Sequence, residues 1–504
     1  MKELIHKYRA ERPLLLLLLV AFIPRLLATI FSKGFGMHDD HYLIIEAAQS
    51  WVDGSDYNSW LPKNRPNADP TGHSWFYVGL HYYFFSFLDL IGINDPQFKM
   101  YIVRLLHGLY SLLIIPPIYF IGKKISNEKL AFSAALIWGL MWFIPNMSVR
   151  NLVELVSVPP LMWSTWLLFK ESNPKIKNIV FAGLLMGVAM SIRLHMSLFI
   201  GGIGLVLLFK KQLVPAIIFG VSVFVSLFIT QIGDLFLWGR PFAEIGEYIA
   251  YNLANKTTYG VSSYYMYFGT VMGLLLPPLS VAWFIGYLKS WKKYALLFWP
   301  SFIFFVFHCY FPNKQERFIL PMFPFVVLLG VIWWGEFVQN SKKPIIPKLN
   351  LWLTRVFWTV NFILILVVST SYSKKSRVES MLYLATQAEY NGLIVDYSIE
   401  WGAPMLPRFY AENWSSIYYI TRTSRYGGGS VEALISYSAE DRPNHALFFE
   451  DEDLEGRKEK FKTILNCELD FLIEKKPSFL DVLLSKMNPN NVNETAYIYK
   501  IIYK

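Results

Sequence analysis

Cysteine is almost absent from this chain: Cys309 and Cys467 are the only two in 504 residues. Two thiols make neither the bridged framework of a small secreted fold nor a metal-ligand cluster. Charge is scarce too. Asp, Glu, Lys and Arg together supply 17% of the residues, against about 25% in an average soluble protein. No G-x-x-x-x-G-K-[ST] loop, G-x-S-x-G elbow, H-x-x-x-H pair or C-x-x-C occurs. ATP-driven transport and serine hydrolysis therefore have no motif behind them. No internal repeat and no low-complexity linker is visible.

What the chain has instead is apolar sequence, 54% hydrophobic residues. A hydrocarbon core of about 30 Å needs about 20 helical residues to cross it. The apolar runs predict about eleven spans, near 13–31, 98–122, 128–146, 151–170, 177–193, 195–209, 213–232, 266–288, 294–311, 318–338 and 351–372. The first could be a signal peptide, but Arg25 and the lack of a small-residue cleavage pattern favour an uncleaved span. Proline pairs at 116–117, 159–160 and 277–278 predict kinks. The fold class is a mainly α polytopic membrane protein.

The net charge of +10 raises nucleic acid as a partner, and the positions of the cations argue against it. With the N-terminus inside, the inner loops carry Lys123 and Lys124; Lys170, Lys175 and Lys177; Lys210 and Lys211; Lys289, Lys292 and Lys293; Lys342, Lys343 and Lys348. The outer short loops carry only Arg150, Arg193, Lys314 and Arg317. That asymmetry is the positive-inside bias. It holds when the apolar run 74–92, which contains His81 and Asp89, lies on or dips into the outer surface among the lipids. The domains expected are a membrane domain over 1–375, with a first outer loop at 32–97, and an outer α/β domain over 376–504. The tail supports this with a "YGGGS" turn at 426–430 and the β-like runs "GLIVDYS", "HALFFE", "DFLIE" and "AYIYKIIY".

The suspicious polar residues gather on the outer face. "GFGMHDDHYLIIE" places His38, Asp39, Asp40, His41 and Glu46 just behind the first span. Adjacent carboxylates bind a metal, act as a general base or solvate a loop. The apolar flanks Phe35, Met37, Leu43, Ile44 and Ile45 favour the base, because a carboxylate against apolar surface is a better proton acceptor. On an α-helix Asp39 and Asp40 point differently, so one acts and the other positions. Arg150 and Glu154 are spaced i,i+4, Arg104 and His107 i,i+3, and Arg193 and His195 share a short outer turn. Each arginine suits a phosphate; capping, ion pairing or headgroup snorkelling is the alternative. "NKQERF" adds Lys314, Glu316 and Arg317, two outward cations against the charge bias. His73, His81 and His308 are isolated and read as structural.

These segments together resemble the GT-C glycosyltransferases, and more narrowly the family 22 mannosyltransferases of GPI-anchor and N-glycan assembly. The family's first-loop motif is approximately H-P-D-E; here it reads His38-Asp39-Asp40-His41. Its H-K-E-x-R-F-x-x-P segment corresponds to "NKQERFILP", in which Lys314, Arg317, Phe318 and Pro321 match, while Asn313 and Gln315 differ. "MYIVRLLHGLYS" and "RNLVELV" stand where the family has further arginine-bearing helices. The likeness covers about 14–340.

It implies inverting transfer of mannose or a similar hexose from a polyprenyl-phosphate donor to a glycan or glycolipid acceptor. Asp40 is then the general base, with Asp39 second, and Arg317, Lys314 and Arg193 hold the leaving phosphate. His38, His41, Glu46, Arg104, His107, Arg150 and Glu154 are the candidate substrate-binding residues. No nucleotide is needed, and a divalent metal is optional, with no ligand set assigned. The competing reading is a lipid-linked saccharide transporter or flippase; the absence of an inverted repeat and the gathering of charge on one face oppose it. Sequons at Asn146, Asn255, Asn413 and Asn493 permit an endoplasmic reticulum lumen. The expected location is a bacterial inner membrane with the site facing the periplasm.

Overall fold

The computed structural model describes residues 9–62, 70–72, 74–258, 260–397, 404–420, 442–450, 453–487 and 493–504. His73 and the 426–430 turn lie outside the described residues. The chain is mainly helical. Among the described residues, five helices are long and apolar enough to cross a membrane: Pro13–Phe31, Pro96–Ile125, Leu213–Thr230, Glu316–Asn340 and Ile345–Ser369. Met266–Leu274 and Leu279–Lys289 form a pair bent by 117°. Val153–Phe169, Ile176–Ile192, Leu194–Phe209 and Ala295–Tyr310 are shorter apolar helices. This is an integral, multi-pass membrane protein.

Those helices match ten of the eleven predicted runs (five, one and four). The remaining run, 128–146, is interrupted. Glu128–Leu140 has 13 residues, about 20 Å at 1.5 Å per residue. Met141 then turns extended, and a new helix starts at Ile144–Ser148. The break is held by buried polar groups. Asn361 Nδ2 donates to the Leu140 carbonyl at 2.7 Å, and its Oδ1 accepts from the Trp142 N–H at 2.9 Å. Arg25 Nη1 donates to the carbonyls of Gly139 and Ala21, both at 2.8 Å, and its Nε to Ser111 Oγ at 2.7 Å. A guanidinium at a helix C-terminus meets unpaired carbonyls and the negative end of the dipole. Arg25 is therefore a helix cap inside the first span. Arg25→Leu forfeits charge-assisted bonds of about 1.5–3 kcal/mol each. Its thermal unfolding in detergent should move several degrees down, and Arg25→Lys, without the fork, should recover only part.

The proline pairs sit where helices begin or break. Pro116 and Pro117 open Ile115–Ile125 after a 3₁₀ turn, and Pro159 and Pro160 open Val158–Phe169. Pro277–Pro278 lies in the sharp bend. A proline has no N–H to contribute, and the first turn of a helix needs none. Elsewhere, small residues bring two helices together: a Cβ on Gly183 would strike Ser222, and one on Gly187 would strike Ser226. Ser226 Oγ donates to the Leu184 carbonyl at 2.8 Å across that seam. Without water to drive association, such close backbone approach is what packs membrane helices.

The chain divides into two compact units. The larger holds Met1–Ile30, Ser59–Leu80 and Tyr101–Thr370; the smaller holds Phe31–Asn58, His81–Met100 and Ser371–Lys504. The sequence boundary at 375/376 keeps the first outer loop with the spans, whereas the contacts group most of that loop with the tail. The run 74–92 forms the helix Trp75–Leu90.

The smaller unit is built on a five-stranded sheet. Its strands are β1 (Leu393–Asp396), β2 (Ile417–Ile420), β3 (His445–Phe449), β4 (Cys467–Lys475) and β5 (Ala496–Tyr503), in the order β2-β1-β3-β5-β4. β1 runs parallel to β2 and β3, and β5 antiparallel to β3 and β4. Ile394, Ala446, Phe448, Phe461, Leu465, Tyr499 and Ile501 form a core between the sheet and the helix Leu454–Leu465. The four predicted β runs are β1, β3, β4 and β5; β2, in "SIYYI", is the strand the sequence reading lacks. Gly34 forms a bridge with Ser373 at φ +73°, where a Cβ would collide with the Ser373 carbonyl.

Candidate active site

In the smaller unit, the acidic segment is one helical run with an inserted wide turn. His38–Asp40 is a single α turn, His41–Glu46 is a π-helix and Ala47–Val52 returns to α. Asp39 is exposed, and Asp40 is 5% exposed. A π turn brings residues five apart onto one face. His41 Nε2 accordingly lies 3.4 Å from Glu46 Oε1, rather than Glu46 facing back toward Asp39 or Asp40 as α spacing would suggest. The His41 ring stacks between Phe35 (4.8 Å, 15°) and Tyr410 (5.7 Å, 9°). His38 stacks on Tyr42. Desolvation, reinforced by the cations of Arg377 and Lys374, holds its imidazole down to about 4.

The larger unit gathers a separate set of charges. Glu154, 1% exposed, sits in the short helix Val153–Val156. Its Oε1 lies 3.0 Å from Arg193 Nη2 and 3.8 Å from Arg317 Nε. Arg193 ends Ile176–Ile192 with an extended backbone and is followed by a 3₁₀ turn, Leu194–Met196. Both guanidiniums lie against the Phe318 ring, at 5.3 and 5.6 Å. Arg317 Nε also donates to Gln315 Oε1 at 2.8 Å. A carboxylate at 315 would neutralise Arg317; the amide oxygen there leaves its charge in place. Tyr267 fixes this segment, its OH donating to the Gln315 carbonyl at 3.0 Å and accepting the Gln315 N–H at 3.2 Å. Lys314 is buried, and its Nζ donates to the Phe311 carbonyl at 2.5 Å. Burial pushes its pKa below the usual lysine range. Two buried or partly buried guanidiniums thus meet one buried carboxylate, and Lys314 adds a third cation that acts on His308 beside them; an excess of cations over carboxylate is an environment suited to a further anion.

Two histidines complete this cluster. His195 Nδ1 lies 3.3 Å from His308 Nε2, and Tyr248 OH 3.1 Å from His195 Nε2. His308 Nδ1 lies 2.7 Å from the Phe304 carbonyl, which only accepts. In the neutral chain that fixes the direction: Tyr248 donates to His195, His195 to His308, and His308 to Phe304. Sequence reading treated His308 as isolated, because its partner is 113 positions away.

The remaining candidates are less open. Arg150 and Glu154 do not share a helix, since the chain is irregular at Asn151 and Leu152. Arg104, 1% exposed, donates from Nε to the Thr29 carbonyl at 3.0 Å and lies over Tyr101. His107 engages both ring nitrogens, with Tyr77 OH at 2.6 Å and the Val103 carbonyl at 2.7 Å. Among the described residues, no three His, Cys, Asp or Glu side chains form a metal-ligand group.

Sequence reading missed Glu244 and Asp234. Glu244 accepts from Gly72 N (2.6 Å), Thr71 Oγ1 (3.0 Å), Trp75 Nε1 (2.7 Å) and Trp238 Nε1 (2.8 Å). It pins Thr71, Gly72 and Trp75 to the helix Ala243–Ala254. Asp234 Oδ2 accepts the Glu244 N–H at 3.1 Å. Burial, more than the Glu244 carboxylate, raises the Asp234 pKa to about 6. An acid with a raised folded-state pKa is favoured protonated, so it weakens the fold as pH climbs from about 4 through 6. Asp234→Asn should raise the melting temperature at pH 7.5 and flatten its decline between pH 4 and 7, as read by thermal scans.

The fold is that of the GT-C membrane glycosyltransferases. Over 96% of this chain and 97% of the other, it superposes on the crystal structure of ArnT from Cupriavidus metallidurans bound to undecaprenyl phosphate, with a TM-score of 0.63 and 12% identity. The archaeal oligosaccharyltransferase AglB from Archaeoglobus fulgidus, in complex with an inhibitory peptide and a dolichol-phosphate, gives 0.53 at 10% identity, over 91% of this chain and 71% of that one. A comparison with curated proteins finds none that matches. Residues 15–396 match the model of the Alg9-like mannosyltransferase family. The chain belongs to that family and is a membrane glycosyltransferase.

Proposed function

We propose that the protein transfers mannose or a similar hexose from a polyprenyl-phosphate donor to a glycan or glycolipid acceptor, with inversion. The observation that carries the reading is the pairing of two guanidiniums, Arg193 and Arg317, with the single buried carboxylate of Glu154. A phosphate leaving group gains negative charge as its bond to the anomeric carbon breaks, and fixed cations stabilise that change. ArnT and AglB, both of this fold, are bound to polyprenyl-type phosphates. Asp40 takes the proton from the acceptor hydroxyl, which then attacks the anomeric carbon. Asp39, exposed, is the weaker candidate for that role. A divalent metal is an optional aid to the phosphate.

On this proposal the reaction takes place on the periplasmic face of a bacterial inner membrane. Cysteine labelling of Gly36→Cys and Lys343→Cys, each in a background lacking Cys309 and Cys467, should succeed from opposite sides; labelling from one side contradicts the orientation. The function is tested with purified protein and a synthetic polyprenyl-phosphate hexose of defined anomer. The glycan product should carry the opposite anomeric configuration by proton coupling. Product of the same configuration, or none, overturns the reading.

A further inference from the structure

The acidic segment is gripped by one short stretch of the C-terminal domain. Tyr42 OH donates to the Met405 carbonyl at 2.7 Å. The Phe409 N–H donates to Glu46 Oε1 at 3.2 Å. Tyr410 covers one face of His41, and Trp414 Nε1 donates to Asp53 Oδ2 at 2.8 Å. The stretch is itself fastened to the domain. The Leu406 N–H donates to Tyr419 OH of β2 at 3.1 Å, and Asn413 Nδ2 to the Tyr390 carbonyl at 3.3 Å. Between those anchors lies a 3₁₀ turn, Arg408–Ala411, ending at Glu412 in the left-handed region (φ 52°).

What is gripped is the part of the helix least able to hold itself. A π turn is rare and persists where outside contacts support it. Three of the four grips fall on its residues: on His41, Tyr42 and Glu46. Asp40 immediately precedes it. Collapse of the wide turn to α removes one residue from the winding, and this rotates Asp40 by about 100° relative to Ala47–Val52. Where the family-like motif has a glutamate after the aspartate, this chain has His41, and the carboxylate comes from Glu46 across the turn.

We propose that residues 405–414 of the C-terminal domain are a clamp that holds the π turn and thereby aims Asp40. His41, Tyr42, Glu46 and Tyr410 are positioning residues; none needs to touch substrate. The inference rests on the reading of Asp40 as base. It gives the soluble domain a part in the chemical step.

The test uses full-length protein in lipid nanodiscs with a polyprenyl-phosphate hexose. Tyr410→Ala should lower kcat about tenfold or more, with the donor KM within about twofold of wild type, because aim and not binding is lost. Tyr410→Phe, which keeps the stacked ring, should restore kcat. Combined with Asp40→Glu, which already misplaces the carboxylate, Tyr410→Ala should add little, since two changes acting through one group are not additive. If Tyr410→Ala does not yield folded protein, Tyr42→Phe removes only the hydroxyl held by Met405 and should lower kcat about threefold at constant KM. Wild-type kcat in the folded variants, a rise in KM alone, or losses that multiply with Asp40→Glu overturn the clamp. Wild-type protein that transfers no sugar overturns the transferase reading and the clamp's role with it.

Discussion

Asp40→Asn should abolish sugar transfer while the protein remains folded in the membrane. The amide keeps the size of the carboxylate and cannot accept the hydroxyl proton. Loss of a general base costs about 10²–10⁴ in rate. The neighbouring change separates the two aspartates. Asp40 is buried at the start of a supported turn, and Asp39 is exposed. Asp39→Asn should therefore keep activity within a few-fold, in the range usual for a surface change. Initial rates at saturating donor and acceptor measure both. Full activity in Asp40→Asn removes Asp40 as the base.

Arg317→Ala should have the second-largest effect, and on the proposed reading it falls on the donor. The variant removes a buried guanidinium that faces Glu154 and Gln315. A charge-assisted contact to phosphate contributes about 1.5–3 kcal/mol, or about 10–100-fold in kcat/KM for the donor. The acceptor KM should hold. Arg317→Lys should recover only part, since an ammonium cannot reproduce the planar fork. Glu154→Gln acts in the opposite sense on charge: it frees Arg193 and Arg317 from their shared partner but loosens their placement. An unchanged donor dependence in Arg317→Ala rules out its phosphate role.

Much of the membrane architecture was legible because hydropathy is a local property. Ten of the apolar runs became helices or a bent pair in the places their composition suggests. The break inside the run 128–146 was not legible, because it depends on Arg25 and Asn361, far away in sequence. Lys314 and Arg317 drew notice in the sequence because they break the expected charge bias. Glu154, the carboxylate that Arg193 and Arg317 share, was paired with Arg150 instead, on a helical spacing that the irregular backbone at Asn151 and Leu152 does not provide. The π turn has no signature in "HYLIIE", whose apolar pattern suits an α-helix equally well. Nothing local predicts that Tyr410 stacks on His41, or that Glu46 receives the Phe409 N–H, because those partners come from the tail. The Glu244 anchor to Thr71, Gly72 and Trp75 and the Tyr248–His195–His308 chain were missed because each joins segments far apart in sequence. β2 was missed because "IYYI" is too short to stand out beside the aromatic residues around it.

The most direct test of the central claim is release of lipid phosphate by the purified protein. A panel of polyprenyl-phosphate sugars, each offered with a mannose-containing glycolipid acceptor, would be followed for free polyprenyl phosphate and for the extended glycolipid together. The account predicts that one hexose donor yields both products in equal amounts, and that Asp40→Asn yields neither. Movement of intact lipid-linked sugar across the bilayer, without release of lipid phosphate from any donor, would contradict it.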